Sequence, residues 1–378
     1  MTLGEETPVS RTAATSTRCL ARAAGGATRT CFTMPCLALG EAKLDAIIAL
    51  ARKRCSDEKG QARKAGLQLL DALLVMRAAG STCVLPSSSD VAVLEAATTD
   101  VLVSVRKAAL SAMRSLLTAA PGAALLAALW IQSALPMIRD VETSLQELVL
   151  EQFQELLLAR AAAAASTGRD GVPTSAARKA AAELLPLLAA LGAGGAASRA
   201  CVVRCISQLK AKQRLRAKQV IAGLQRVIET QIDAAGSSNG CSAGVSTNAI
   251  TGAWLLYAEV AAADPAAPSW HFLQEQWEHV KGDIAGQSAG GGGSVPASAS
   301  AAKLLRTIAL AAAEFPGPQA QRLAVQLLQA LHTFLLTPSA AAAHVAALVQ
   351  LTTSHDDSAA AASMAQLLTA AEKVRVGG

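Results

Sequence analysis

Two consecutive blocks of this chain can be laid over one another. TDVLVSVRKAALSAMRSLLTA carries Asp100 where RDVETSLQELVLEQFQELLLA carries Asp140, an offset of forty residues. Val105 then falls on Leu145, Arg106 on Gln146, Leu110 on Leu150, Met113 on Phe153, and Leu116-Leu117 on Leu156-Leu157. An earlier block, SDEKGQARKAGLQLLDALL, fits the same template forty-three residues upstream, with Asp57, Ala62, Arg63, Leu67 and Leu73-Leu74. Within each block the apolar positions recur at three- and four-residue steps, the spacing of one helix face.

A period near forty with helical spacing inside it is the mark of stacked helical hairpins of the HEAT/armadillo kind. One hairpin cannot cover both sides of its apolar face, so neighbours stack to close a continuous core. The predicted fold class is therefore all-α, an α-α superhelix with flexible Gly/Ala/Ser-rich inserts. Composition agrees: 52% of the 378 residues are hydrophobic but only 3% aromatic, and alanine and leucine, both strong helix formers, supply most of the apolar fraction. The mean hydropathy is +0.35.

The net charge is +6 with a pI near 9.0, which suits a polyanionic partner without demanding one. The eight cysteines (19, 31, 36, 55, 83, 201, 205, 241) form no CxxC pair, and free thiols in a reducing compartment are the expectation. The stretch from Ser115 to Ile138 is uncharged and long enough to span a bilayer. It contains Pro121, Gly122, Gln132 and Pro136 and lies in the repeat register, so it is read as part of the solenoid. No signal peptide is expected, because Glu5 and Glu6 precede any apolar run.

In order, residues 1–38 are read as a disordered N-terminal segment and 39–160 as HEAT repeats, with a loop at 80–90 and a short helix at 91–98. A linker follows at 161–175, then a helical repeat with a basic segment at 176–232, whose first member is SAARKAAAELLPLLAAL. A loop covers 233–248, a Trp-containing helical repeat 249–285, a Gly-rich linker 286–300, and C-terminal helical repeats 301–378. Asp57, Arg63, Asp100, Arg106 and Asp140 are the expected structural ladder of the hairpins, with Asp100 placed to accept from free N–H groups at or before a helix start. Pro136 is expected to kink a first helix against its neighbour.

Catalytic signatures match by letter and fail by context. Gly240-Cys241-Ser242-Ala243-Gly244 matches a nucleophile elbow, yet its flanks are Ser/Asn/Gly loop and not a strand-to-helix turn. Ser56–Lys59 and Ser300–Lys303 lack the motifs that accompany a Ser-x-x-Lys nucleophile. The five histidines (271, 279, 332, 344, 355) do not pair at metal-ligand spacing. An enzyme, a cofactor and a small-molecule substrate are not expected, nor is a membrane.

The sharper signal is basic. Between Leu184 and Ile228 there are eight basic residues and no acidic one. Lys210, Lys212, Arg214, Arg216 and Lys218 cluster at a turn and a helix opening, where they could neutralise duplex phosphates; a solvated turn is the bland alternative. No aromatic residue interleaves them, which argues against single-strand stacking. Trp254, Trp270 and Trp277 read either as core or as anchors for a partner helix.

Several segments occur in an order that resembles a known family. They are VSVRKAALSAMRSLL, IQSALPMIRDVETSLQELVLEQFQELLL, CISQLKAKQRLRAKQVIAGLQRVIE, AWLLYAEVAAADPAAPSWHFLQEQW, EFPGPQAQRLAVQLLQALHTFL and AHVAALVQL. The series is similar to the central region of the D-type HEAT subunit of condensin II and covers roughly 40–355. The resemblance implies a solenoid that binds a kleisin subunit, associates with an SMC ATPase pair and contacts chromatin, histones or duplex DNA. It also implies a nuclear, chromosome-associated role in mitotic and meiotic chromosome condensation. Family members are longer, so the chain is expected to be a fragment or truncated form. Gln146 departs from the arginine expected at its repeat position. A HEAT adaptor for protein contacts in transport or trafficking is the alternative.

Overall fold

The structure is a computed structural model describing residues 41–79, 85–168, 171–237, 243–287, 295–332 and 338–354. The expectations for 1–38, for Ser242 and for the end of the C-terminal repeats, 355–378, lie outside them. From Asp45 onward the described residues belong to one compact unit; of the other, Met1–Leu44, only the opening of the first helix is described. Among the described residues every regular element is helical, apart from one isolated antiparallel bridge, Thr167–Pro173.

Helix α1 (Glu41–Cys55) and α2 (Gly60–Ala79) form the first hairpin, α3 (Ser88–Thr98) and α4 (Val103–Ala119) the second. In the third, α5 (Ala124–Leu129) continues through a π turn at Trp130–Ala134 and a 3-10 turn at Leu135–Arg139. Pro136 sits in that 3-10 turn, where its missing N–H and ring preclude a regular α ladder. The second member, α6 (Thr143–Phe153), likewise passes through a π turn at Gln154–Ala159 into α7 (Arg160–Ala164). Equivalent apolar positions meet the same fate in each hairpin: Leu67, Leu70 and Leu74, then Leu110, Met113 and Leu117, then Leu150, Phe153 and Leu157 are all buried.

Helix α3 starts three residues before the expected position, and the cause is local. Ser87 Oγ accepts from Asp90 N at 3.3 Å, while Ser87 N donates to Asp90 Oδ2 at 2.8 Å. This reciprocal box satisfies two otherwise orphaned donors and fixes the start.

The region 176–232 holds three helices where the sequence suggests a pair: α8 (Ser175–Ala193), α9 (Gly195–Ala211) and α10 (Ala217–Ser237). Gly194 lies between the first two, and Gly195, with φ +62°, opens the second on a new course. Beyond them lie α11 (Ala243–Ala263), α12 (Trp270–Gln287), α13 (Val295–Leu310), a 3-10 turn at Ala312–Glu314, α14 (Gly317–His332) and α15 (Pro338–Ser354). Helices thus run further into the Gly-rich segments 233–248 and 286–300 than composition suggests.

Two series of neighbours run through the unit. In one, α3 packs on α5, α5 on α8, α8 on α11, α11 on α13 and α13 on α15. In the other, α2 packs on α4, α4 on α6 and α7 on α10. Some of these approaches are close enough to exclude a side chain. A Cβ on Gly223 of α10 would lie 1.7 Å from the Ala161 carbonyl oxygen, and one on Gly252 of α11 would lie 1.9 Å from that of Leu188.

The uncharged stretch from Ser115 to Ile138 is interrupted by the turn between α4 and α5. Among the described residues no helix is long and apolar enough to cross a membrane.

Candidate nucleic-acid interface

The hairpin turns share one construction. The aspartate of each turn accepts through Oδ1 from the backbone N–H two residues on: Asp57 from Lys59 at 3.0 Å, Asp100 from Leu102 at 2.8 Å, Asp140 from Glu142 at 2.9 Å. Asp100 therefore caps the turn before α4 and not the helix itself, whose N-cap is Leu102. The residue six positions after each aspartate returns to that aspartate's carbonyl: Arg63 to Asp57 at 3.1 Å, Arg106 to Asp100 at 2.7 Å, Gln146 to Asp140 at 2.6 Å.

The arginines also reach forward to the next turn. Arg63 grips Asp100 with two bonds, Nε to Oδ2 at 2.7 Å and Nη2 to Oδ1 at 2.9 Å. That bond holds the Asp100 carboxyl below its ordinary range and raises the guanidinium. Arg106 Nη2 reaches Asp140 Oδ1 at 3.3 Å. Gln146 makes only the bond within its own turn among those observed, being shorter and uncharged.

Where the arginine ladder stops, the basic segment takes over. The α9–α10 turn closes with Arg214 N donating to Leu209 O at 2.9 Å and Gln213 N to Lys210 O at 2.9 Å. This is the Schellman pattern, and its left-handed position is occupied by Gln213 at φ 55°. Lys212 Nζ meets Glu147 of α6, and Arg214 Nη2 donates to Gln154 Oε1 at 2.6 Å. Lys210 Nζ donates to the Ala263 carbonyl at 2.6 Å. Three of the five clustered cations thus tie the turn to neighbouring repeats, while Arg216 and Lys218 are exposed at the opening of α10. Glu147 and Gln154 had no signal in sequence, since they act across about sixty residues of chain.

The tryptophans divide. Trp254 and Trp277 are 2% and 1% exposed, so the anchor reading gives way to core for both. Trp254 packs with Tyr257 and Phe272 at centroid distances of 5.3 and 5.8 Å. Burial pushes the Tyr257 hydroxyl up, and Gln225 Nε2 donates to it at 3.0 Å. Trp277 Nε1 donates to Gln326 Oε1 at 2.9 Å. Trp270 is half-buried, over His271 and 6.3 Å from Phe315. A fourth, Trp130, was not singled out in sequence, yet its Nε1 donates to buried Gln152 at 2.8 Å, and Gln152 Nε2 to Leu110 O at 2.9 Å.

Cys55, Cys201 and Cys205 are free and buried. Burial raises all three thiols, Cys55 to about 11, which makes them poor nucleophiles and poor metal ligands at neutral pH. Among the described residues no group of three His, Cys, Asp or Glu side chains could hold a metal ion.

Hairpins stacked on shared apolar faces, with arginine–aspartate bonds from turn to turn, define a HEAT-type helical-repeat protein. Comparison with curated proteins makes the class particular. The chain is 37% identical over 112 residues, 30% of its length, to condensin-2 complex subunit D3-L of Xenopus laevis. It is 29% identical over 328 residues, 80% of its length, to condensin-2 complex subunit CAP-D3 of Arabidopsis thaliana. The chain is thus homologous to the D3 subunits of condensin-2. It spans 7% of the frog relative and 24% of the plant one. No family model matches the chain, and no solved structure does.

Proposed function

We propose that this chain is a non-catalytic scaffold segment of a condensin II D3 subunit, acting in chromosome condensation at mitosis and meiosis. The observation that carries the reading is the alignment with CAP-D3 over 80% of the chain, set on a fold of stacked hairpins. Such a fold acts by presenting extended surface. In this reading the solenoid binds the kleisin subunit, joins the SMC ATPase pair through it, and works in the nucleus on chromosomes. Trp270, which is only half-buried, is the tryptophan we assign to partner contact.

Duplex DNA is met at the α9–α10 turn. Lys210, Lys212, Arg214, Arg216 and Lys218 all add positive potential there, but Arg216 and Lys218 are the residues assigned direct phosphate contact. Affinity of this kind is independent of sequence and falls steeply with salt.

Two measurements test the reading. Affinity purification from dividing cells should recover a kleisin and an SMC pair; recovery of coat or transport proteins in their place would move the chain to the adaptor class. Retention on duplex DNA should decline with salt and drop further in Arg216→Ala/Lys218→Ala. Neutralising all five cations is the poorer test, because Lys212 also holds the turn to α6 and Arg214 to the π turn that follows it.

A further inference from the structure

Arg199 of α9 and Arg306 of α13 share a single carboxylate, Glu259 of α11. Arg199 Nε lies 2.7 Å from Oε1, and Arg306 Nη2 lies 3.0 Å from Oε2. The Glu259 side chain is 4% exposed, whereas those of Arg199 and Arg306 are 49% and 37% exposed. Burial pushes the carboxyl up, but the bonds from the two guanidiniums outweigh it and keep Glu259 below its ordinary value. Lys303, three residues before Arg306, has its ammonium lowered, first by burial and then by the nearby charge of Arg199. Two guanidiniums therefore share one buried anion, with Lys303 close enough to Arg199 to feel its charge, and both arginines remain partly open to solvent. Such a surplus raises the local concentration of anions.

Helix α9 carries the charge onward. Arg199, Arg204 and Lys210 are all exposed on it: Arg199 and Lys210 share one stripe with Val203 and Ser207, and Arg204, about 140° round the helix from Arg199, stands at the other edge of the same exposed face. At 1.5 Å per residue, Arg199 to Lys210 covers about 16 Å, or roughly five base-pair steps of a duplex at 3.4 Å each. Lys210 then leads into the turn with Arg216 and Lys218. The stretch from Leu184 to Ile228 contains neither an acidic nor an aromatic residue. A strand of unpaired bases would find no ring to stack on, so the charge favours a duplex backbone.

We propose that Arg199, Arg204 and Arg306 extend the contact of the α9–α10 turn along α9 to α13, forming a track for the phosphodiester backbone of one DNA duplex. Glu259 sets the strength of the far end by neutralising part of its charge from beneath. The proposal rests on the reading that the chain touches duplex DNA, and its test separates the two.

The full chain is titrated with a short duplex of mixed sequence over a series of salt concentrations, alongside Arg204→Ala, Glu259→Gln and Arg216→Ala/Lys218→Ala. Arg204→Ala should weaken binding about threefold or more and lower the slope of log K against log salt by about one. Glu259→Gln, which keeps the shape but removes the buried charge, should tighten binding by about threefold. Wild-type affinity in both, with weakening only in the turn variant, would overturn the track and leave the turn contact standing. Failure of the wild-type chain to hold duplex at low salt would overturn both. Should Glu259→Gln melt early, Arg204→Ala decides, because Arg204 is exposed.

Discussion

At the scale of single residues, one carboxylate does most to join the first hairpins. Asp100 accepts two bonds from Arg63 and one from Leu102 N, so Asp100→Ala leaves a part-buried guanidinium and a backbone donor unanswered. We expect a loss of about 2–3 kcal/mol by urea denaturation, the range for hydrogen bonds to charged groups. Acid should act the same way. The Asp100 carboxyl is lowered in the folded chain by its bonds to Arg63, so its contribution is complete above the ordinary value of 3.8 and is lost as pH falls through the folded value.

His344 adds a step at milder acidity. It is fully buried, its Nδ1 lies 2.8 Å from the Ala340 carbonyl oxygen, and its Nε2 has no hydrogen-bond partner among the described residues. Burial lowers its pKa from the ordinary 6.5. Below that value the unfolded chain takes up a proton that the folded chain resists, so stability is whole above 6.5 and declines as pH drops toward the folded value. Chemical denaturation at a series of pH values should show this decline, and His344→Leu should flatten it. A decline that survives the substitution would assign it to another group. Gln213 offers the opposite sign. Its left-handed backbone suits glycine, and Gln213→Gly should raise stability to urea by about 0.5–1 kcal/mol.

At the scale of elements, the helix faces were legible because burial follows a period that can be read in the letters. Leu67, Leu110 and Leu150 share one template position and one environment. The boundaries were less legible. The start of α3 lay in a Ser87–Asp90 pair that reads as loop composition unless the three-residue spacing is weighed. The division of 176–232 into three helices turned on Gly195 adopting a conformation that no neighbouring letter demands. The two glycines at helix contacts were silent in sequence, since a helical glycine looks the same whether a backbone faces it or water does. Their roles give a firm test: Gly223→Ala and Gly252→Ala should each destabilise by about 2–4 kcal/mol, well beyond overpacking that side chains alone could relieve. Ala at the exposed Gly122, which has open space around its Cβ position, is the control and should change little.

For the whole molecule, the change in how turns are joined matters more than any one bond. The first three turns are linked by arginine to aspartate, but the next is linked by Lys212 to Glu147 and Arg214 to Gln154. In a repeat array, stability is a sum of units and nearest-neighbour contacts, so a weaker junction can open without its neighbours. We expect native-state hydrogen exchange to show α4 and α6 protected together and α9–α10 opening separately. Arg214→Ala should widen that gap, whereas Arg216→Ala should leave it unchanged while weakening duplex retention. One helix behaviour for both variants would mean that the turn is a solvated loop and not a junction.

The letters of this chain alone settled that it is helical, that its hairpins repeat, and which aspartates and arginines mark the turns. These follow from local rules of period and capping, which need no knowledge of distant partners. Folding in three dimensions settled the rest: which clustered cations are occupied, which tryptophans are buried, and that Arg199, Glu259 and Arg306 meet at all. Those outcomes depend on contacts across about fifty to sixty residues of chain. A charge's partner is fixed by how hairpins stack, and stacking is a property of the assembled core that no single segment encodes.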